Sequence, residues 1–173
     1  MQRRRRALEN AAGAPRPVAI RTAALRLLAR RDYTAHEVRK RLIASGYPAE
    51  DADALIADLA ASHWLDDQRV AASHARVAGQ IKGRGRFRIE QELAARGVDR
   101  ATIRQTLGDA RPDDEIAAIE TVLKRKRTTA SLDPAARRRL FQHLLRRGFS
   151  AGAITKVLRT RGAAPSEGDD DGT

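Results

Sequence analysis

Three glycines, Gly46, Gly97 and Gly148, recur in this chain at a fixed interval of 51 residues, and their surroundings recur with them. A leucine lies four residues before each glycine and another apolar residue lies four before that. Two more apolar residues follow each glycine by six and by ten. Residues four apart share one face of an α-helix, so each unit predicts a helix, a glycine stop and a second helix. The apolar positions are Val38, Leu42, Ala52 and Ile56; Ile89, Leu93, Ile103 and Leu107; and Leu140, Leu144, Ile154 and Leu158.

Each glycine is placed to end the first helix of its unit. Glycine readily adopts the left-handed conformation that follows many helices, and the next residue then packs against the last helical turn. The predicted packing pairs are Leu42 with Tyr47, Leu93 with Val98, and Leu144 with Phe149. Residues that favour helix starts occur where the pattern requires them. They are Thr34 with Glu37 as a capping box, Pro48, Asp99, Asp133 followed by Pro134, and Ser150.

A further amphipathic stretch precedes each pair of helices, at 20–28, 70–81 and 116–123. The chain is therefore predicted to be all-α, with three tandem three-helix repeats stacked into an elongated array that can curve. A core of Leu, Ile, Val and Ala, with only 3% aromatic residues, suits packed helices. The predicted boundaries are a disordered basic arm at 1–17, repeats at 18–63, 64–111 and 112–161, and a disordered acidic tail at 162–173.

The net charge of +12 is concentrated in the third repeat, which predicts a partner with a negative surface. The chain has no Cys, which excludes disulfides and thiolate metal sites. It also has no apolar run of membrane-spanning or signal-peptide type. We therefore expect a soluble, cytoplasmic protein with no membrane partner.

The segment from Lys82 to Arg88 combines four basic residues with two glycines and Phe87. It is interpreted as a contact with an anionic partner, whose approach the glycines permit, in preference to a solvated linker. The spacing of a phosphate-binding P-loop is missing. Phe87 is predicted to pack in the core rather than to stack on a base. The candidate interface residues of this segment are Lys82, Arg84, Arg86 and Arg88.

A second group of candidate interface residues lies in the third repeat. Cations near a helix C-terminus suit the helix dipole, which accounts for several of them without a ligand. The triplet that begins at Arg137 lies in a first helical turn, where the dipole disfavours cations, so it points to a ligand. The group comprises Lys124, Arg125, Lys126, Arg137, Arg138, Arg139, Arg146 and Arg147.

The acidic pair Asp66 and Asp67 is adjacent in sequence, and adjacent helical residues do not face one another. They are predicted to cap the fourth helix and to pair with Arg69 or a neighbour, rather than to act in catalysis. Trp64 is predicted to anchor the junction of the first two repeats. The four His residues lack metal-ligand spacing. No catalytic, metal or cofactor site is predicted.

Three motifs of the chain are specific enough to indicate a family. They are Thr34-x-x-Glu37-Val38-x-x-x-Leu42-x-x-x-Gly46-Tyr47, Trp64-Leu65-Asp66-Asp67-x-Arg69-Val70-Ala71, and Lys82-Gly83 followed by Ile89-x-x-Glu92-Leu93-x-x-x-Gly97-Val98. With these motifs the chain resembles, over about residues 20–160, the RecX regulatory proteins, which are built from three tandem three-helix repeats. Trp64 and Val70 stand where that family usually has Tyr and Phe.

The resemblance implies a protein that binds the RecA recombinase, mainly as its filament on single-stranded DNA. It also implies limited filament growth and reduced strand exchange, ATP hydrolysis and coprotease activity. We expect the protein to be a monomer.

Two other function classes remain as alternatives. A basic helix-turn-helix DNA-binding regulator has the same outline of helix, glycine turn and helix. Against it, Leu42, Leu93 and Leu144 occupy a position where such motifs usually hold a small residue. An enzyme is the least favoured class, because the chain presents no nucleophile with a matching base, no phosphate loop and no metal cluster.

Overall fold

The computed structural model describes residues 19–108, 112–125 and 133–162, and within those ranges it contains helices and no strand. The helices group in threes, as predicted from the 51-residue period. The predicted basic arm at 1–17, and the predicted tail beyond Gly162, lie outside the described residues. The helices are α1 (Ile20–Leu28), α2 (Ala35–Ala44), α3 (Ala49–Ala61), α4 (Asp67–Arg76), α5 (Arg86–Ala95), α6 (Arg100–Leu107), α7 (Pro112–Arg125), α8 (Pro134–Arg146) and α9 (Ala151–Gly162).

The three repeated glycines end α2, α5 and α8 in the predicted manner. Their φ angles are +91° at Gly46, +79° at Gly97 and +86° at Gly148, all in the left-handed region. In each case the N–H of the following residue donates to the carbonyl of the leucine five residues earlier, as in a Schellman ending. The N···O distances are 3.2 Å from Tyr47 to Leu42, 3.1 Å from Val98 to Leu93 and 3.3 Å from Phe149 to Leu144.

Helix starts also follow the sequence. The Thr34 hydroxyl accepts a hydrogen bond from the Glu37 N–H at 3.1 Å, and the Glu37 carboxylate accepts one from the Thr34 N–H at 3.0 Å, which forms the capping box. Asp99 caps α6 through the N–H groups of Ala101 and Thr102. Asp133 caps α8 in the same way, with Pro134 in the first turn.

Two local features were not predicted from the sequence, while the capping of α4 by Asp66 and Asp67 stays a prediction. The Asp67 carboxylate accepts a hydrogen bond from the N–H of Ala35 at the start of α2, at 2.8 Å. It thereby satisfies one of the donors that a helix N-terminus leaves free. The stretch after α4 continues as a π-helical turn, Val77–Ile81, which the periodicity did not predict.

The chain divides into two compact units, one ending at Asp67 and the other beginning at Gln68. The first unit has one apolar core, formed by α1, α2 and α3 around Val38, Leu42 and Leu59. The second unit contains two cores. One lies in the second repeat around Ile89 and Leu93. The other lies in the third repeat, where its buried residues are Ile119, Val122, Leu123, Leu144, Phe149, Ala153, Ile154, Val157 and Leu158.

Candidate functional site

The basic segment from Lys82 to Arg88, which leads into α5 of the second repeat, contacts the third repeat within the second compact unit. The Gly85 N–H donates to the carbonyl of Arg147 at 2.7 Å, and the Phe87 N–H donates to that of Gly148 at 3.2 Å. Gly85 caps α5, and Arg147 and Gly148 close α8. Donors at the start of one helix therefore meet acceptors at the end of another, which satisfies both sets of terminal backbone groups.

Glycine is required where these two backbones meet. A Cβ on Gly85 would lie 2.3 Å from the carbonyl carbon of Gly148, and a Cβ on Gly148 would lie 2.3 Å from the amide nitrogen of Arg88. Gly83 is similarly confined by Val122 of α7. The sequence predicts that these glycines let an anionic partner approach, which stays a prediction. In the structure they let the backbone of the chain's own third repeat approach.

Arginine side chains hold the same turn in place. The Arg147 guanidinium donates to the carbonyls of Lys82 at 2.7 Å and Gly83 at 2.9 Å. Arg125, at the end of α7, donates to the carbonyl of Ile81 at 3.1 Å. Both arginines were predicted as interface residues, and both are engaged in joining repeats two and three.

The carboxylate of Glu92, on α5, gathers three basic side chains of the second repeat. Arg88 donates to it at 2.8 Å, His74 of α4 lies 3.0 Å away, and Arg84 forms an ion pair with it. Burial of the carboxyl group raises its pKa, but the hydrogen bonds from Arg88, Arg84 and His74 outweigh burial and hold the pKa of Glu92 below its ordinary value.

Arg86, the remaining arginine of the segment, donates to the carbonyl of Leu107 at 2.7 Å. That carbonyl belongs to the last residue of α6, so the guanidinium serves as a C-terminal cap. Of the four candidate interface residues in this segment, Lys82 is the one whose side chain is exposed without an ion pair among the described residues.

The remaining candidates lie mainly on α8, which presents a row of arginines to solvent. Arg138 and Arg146 are two turns apart, about 12 Å along the helix. No carboxylate of the described residues forms an ion pair with Arg137, Arg138 or Arg146. Backbone donation from Ala136 and the charge of Arg139 lower the pKa of Asp133 at the start of this helix. Lys124, on α7, is exposed too, whereas Lys126 lies outside the described residues.

Two aromatic side chains singled out in the sequence are exposed. Phe87 was predicted to pack in the core, and this prediction is wrong, because 62% of its surface is accessible. The N–H groups of Gly85 and Phe87 are bonded to the end of α8, and the Phe87 ring lies on the exposed side of the first turn of α5. Trp64 is 56% exposed in the first unit. Its role as an anchor between repeats stays a prediction.

The second and third repeats meet at a joint where Gly85 and Phe87 contact Arg147 and Gly148. A cavity of about 570 Å³ lies beside this joint. Apolar side chains line most of it, including Ile89, Leu107, Ile116 and Phe149, and Glu115 lies at its edge. The Glu115 carboxylate accepts hydrogen bonds from the N–H and the hydroxyl of Ser150, both at 2.6 Å. These bonds tie the start of α9 to α7.

The described ranges contain no group of three or more His, Cys, Asp or Glu side chains arranged to hold a metal ion. None of the helices in them combines the length and the low polarity needed to cross a bilayer.

Three family models match successive parts of the chain. They are described as the first, second and third three-helix domains of RecX and cover residues 21–59, 66–107 and 113–158. The regulatory protein RecX of Chromobacterium violaceum is 34% identical over 80% of this chain and 88% of its own length. That of Halorhodospira halophila is 38% identical over 89% of this chain and 92% of its own.

Solved structures share the fold. A crystal structure of a regulatory protein RecX superposes with a TM-score of 0.67 at 20% identity, covering 82% of this chain and 70% of the other. The structure of RecX from Lactobacillus salivarius gives a TM-score of 0.65 at 19% identity, covering 82% of this chain and 94% of the other.

Proposed function

Because this chain belongs to the RecX family, we propose that it binds the RecA recombinase, mainly as the filament on single-stranded DNA, and limits growth of that filament. Strand exchange then falls. The ATP hydrolysis and the coprotease activity, which depend on the filament, fall with it. The protein acts by binding, as a cytoplasmic monomer without a cofactor. Its similar relatives are named regulatory proteins, which supports a regulatory role.

The observation that carries this proposal is the row of exposed arginines on α8. Arg137, Arg138 and Arg146 have no carboxylate partner among the described residues, so their charge is available to an external anion. A nucleoprotein filament offers phosphates and acidic side chains along its length. Binding that neutralises phosphates releases counterions and weakens as salt rises.

The direct test measures ATP hydrolysis by recombinase on single-stranded DNA while this protein is titrated in. We expect inhibition, and we expect it below one protein per recombinase because blocking growth at filament ends needs few molecules. Hydrolysis that stays unchanged with the protein in excess would contradict the proposal.

The arginine row is tested by changing Arg137, Arg138 and Arg139 together to Glu. Acidic residues favour the first turn of a helix, so α8 should keep its stability while the surface charge reverses. We expect inhibition to weaken by at least tenfold in the protein concentration required. Arg26→Glu, Arg30→Glu and Lys40→Glu together change the net charge equally and serve as the control. Equal loss in both variants would mean that total charge matters and that the α8 surface does not.

The helix-turn-helix alternative remains distinguishable by experiment. Its supporting observation is the tight glycine turn between α2 and α3, which has the outline of that motif. Leu42 is buried in the first repeat beside this turn. Sequence-selective binding of duplex DNA that persists at moderate salt would favour this alternative. Salt-sensitive, non-selective binding would fit the basic charge of either function.

A further inference from the structure

Phe87 combines an exposed side chain with a fixed main chain. Its N–H is bonded to the carbonyl of Gly148, and its neighbour Gly85 is bonded to Arg147. The ring is 62% exposed in spite of these anchors. A rigidly mounted aromatic ring loses little conformational entropy when it binds, because only its own two side-chain torsions remain to be fixed. The exposed Phe87 ring is therefore preorganised to bind a partner at the surface of the second unit.

Three cations lie on the segments that meet at this contact, Lys82 and Arg88 on either side of Phe87 in the chain and Arg146 on α8. Arg88 follows Phe87 directly and is half-exposed while it pairs with Glu92. Lys82 belongs to the turn that Arg147 holds, and its side chain points to solvent. Arg146 lies two residues before Gly148 on α8 and is exposed. Glu90, three residues after Phe87 on α5, is an exposed acidic residue nearby.

An exposed aromatic ring with cations on the neighbouring segments suits single-stranded nucleic acid. Each base offers a flat face on which the ring can stack, and the phosphates on either side can meet the cations. Duplex DNA keeps those faces stacked inside, so it offers the ring no equivalent surface. A purely apolar protein partner would leave the exposed cations Lys82 and Arg146 without counter-charges.

We propose that Phe87 stacks on a base of single-stranded DNA and that Lys82 and Arg146, which pair with no carboxylate of the described residues, bind the neighbouring phosphates. This assignment rests on the proposed function, because it places the DNA contact of the filament-bound protein at the joint of repeats two and three. Stacking is indifferent to base identity, so the contact is not sequence-selective.

The first experiment measures binding of the full chain to a labelled oligothymidine by fluorescence anisotropy over a range of salt concentrations. Phe87→Ala is expected to weaken binding about tenfold, since stacking on one aromatic ring contributes about 1 to 3 kcal/mol. The slope of affinity against salt should stay unchanged, because no cation is lost. Phe87→Leu should lose as much as Phe87→Ala, whereas Phe87→Trp should bind as well as the wild type.

The matched control is Ile81→Ala, which removes another exposed apolar side chain, 67% accessible, from the same joint. It should leave affinity unchanged. Thermal melting should be nearly unchanged for Phe87→Ala as well, because the ring contributes little to the core. An Ile81→Ala loss equal to that of Phe87→Ala would overturn the stacking assignment.

A spectroscopic measurement reports stacking directly. In a chain carrying Trp64→Phe and Phe87→Trp, the single tryptophan should lose fluorescence when the oligothymidine binds. Unquenched fluorescence at saturation would overturn the proposal. So would a Phe87→Ala variant that binds the oligonucleotide normally but no longer inhibits recombinase, because Phe87 would then contact protein. The anisotropy and fluorescence measurements contain no recombinase, whereas the proposed function fails only if the wild-type protein leaves ATP hydrolysis unchanged.

Discussion

At the scale of single residues, Glu92 does the most to organise the second repeat. Its one carboxylate receives Arg84 from the turn, Arg88 from its own helix and His74 from α4. Two guanidinium groups that would otherwise repel one another are thereby held at one point, together with the His74 ring. The ionised carboxylate is stabilised, which is why the pKa of Glu92 is low.

This arrangement predicts a pH-dependent contribution to stability. A carboxyl whose pKa is lower in the folded state stabilises the fold above its ordinary pKa, which is 4.5, and loses that contribution as pH falls through the folded-state pKa. Glu92→Gln should therefore lower the free energy of unfolding by about 1 to 2 kcal/mol at pH 7. The difference from the wild type should shrink toward zero as the pH falls below 4.5.

Urea denaturation of both proteins across this pH range measures the difference. Glu90→Gln is the control on the same helix, since Glu90 is exposed, and it should change stability by less than about 0.5 kcal/mol. A Glu92→Gln deficit that is constant with pH would show that the carboxylate charge does not matter.

Residue type alone did not show which arginines and lysines are paired within the fold and which are available to a partner. The sequence identified an excess of arginine in two segments, one from Lys82 to Arg88 and the other in the third repeat. It could not show that Arg84 and Arg88 pair with Glu92 while Arg138 is left exposed. Whether a cation is available depends on partners brought in by the fold, some of them more than 40 residues distant in the chain.

At the scale of helices, the three glycine endings share a backbone conformation but differ in surroundings. Gly46 has open space where a Cβ would project. Gly148 has the backbone of Arg88 at 2.3 Å from that position. The repeat therefore explains why glycine occurs at both sites, and packing adds a second requirement at Gly148.

Alanine substitution separates these two requirements. Gly46→Ala should cost about 1 to 2 kcal/mol, the penalty of a left-handed conformation for a residue with a Cβ. Gly148→Ala should cost more, about 3 kcal/mol or above, because it also forces α5 away from the end of α8. The midpoint of urea denaturation for each variant measures this. Equal losses would show that the close approach contributes no stability.

At the scale of the whole molecule, the second and third repeats form one unit through backbone contacts at Gly85 and Gly148 and through the side chain of Arg147. Each repeat has its own apolar core. The joint between them is polar, because it consists of helix termini whose donors and acceptors satisfy one another. A substitution that disturbs the second repeat at this joint should therefore also loosen the third repeat there.

Gly85→Ala tests that coupling, since its Cβ would meet the Gly148 carbonyl at 2.3 Å. Hydrogen exchange should become faster in two places, the first turn of α5 and the turn between α8 and α9. The amides of α1, α2 and α3, which belong to the other unit, provide the internal reference. Faster exchange confined to α5 would show that the two repeats are not coupled through this contact.

The sequence alone determined the helical repeats, their Schellman endings and most of their caps, because these depend on residues within about six positions of one another. Only the tertiary structure decided that Gly83, Gly85 and Arg147 join two repeats and that Phe87 is exposed. Those outcomes depend on how segments some 60 residues apart approach each other, and no local pattern of residue types encodes that approach.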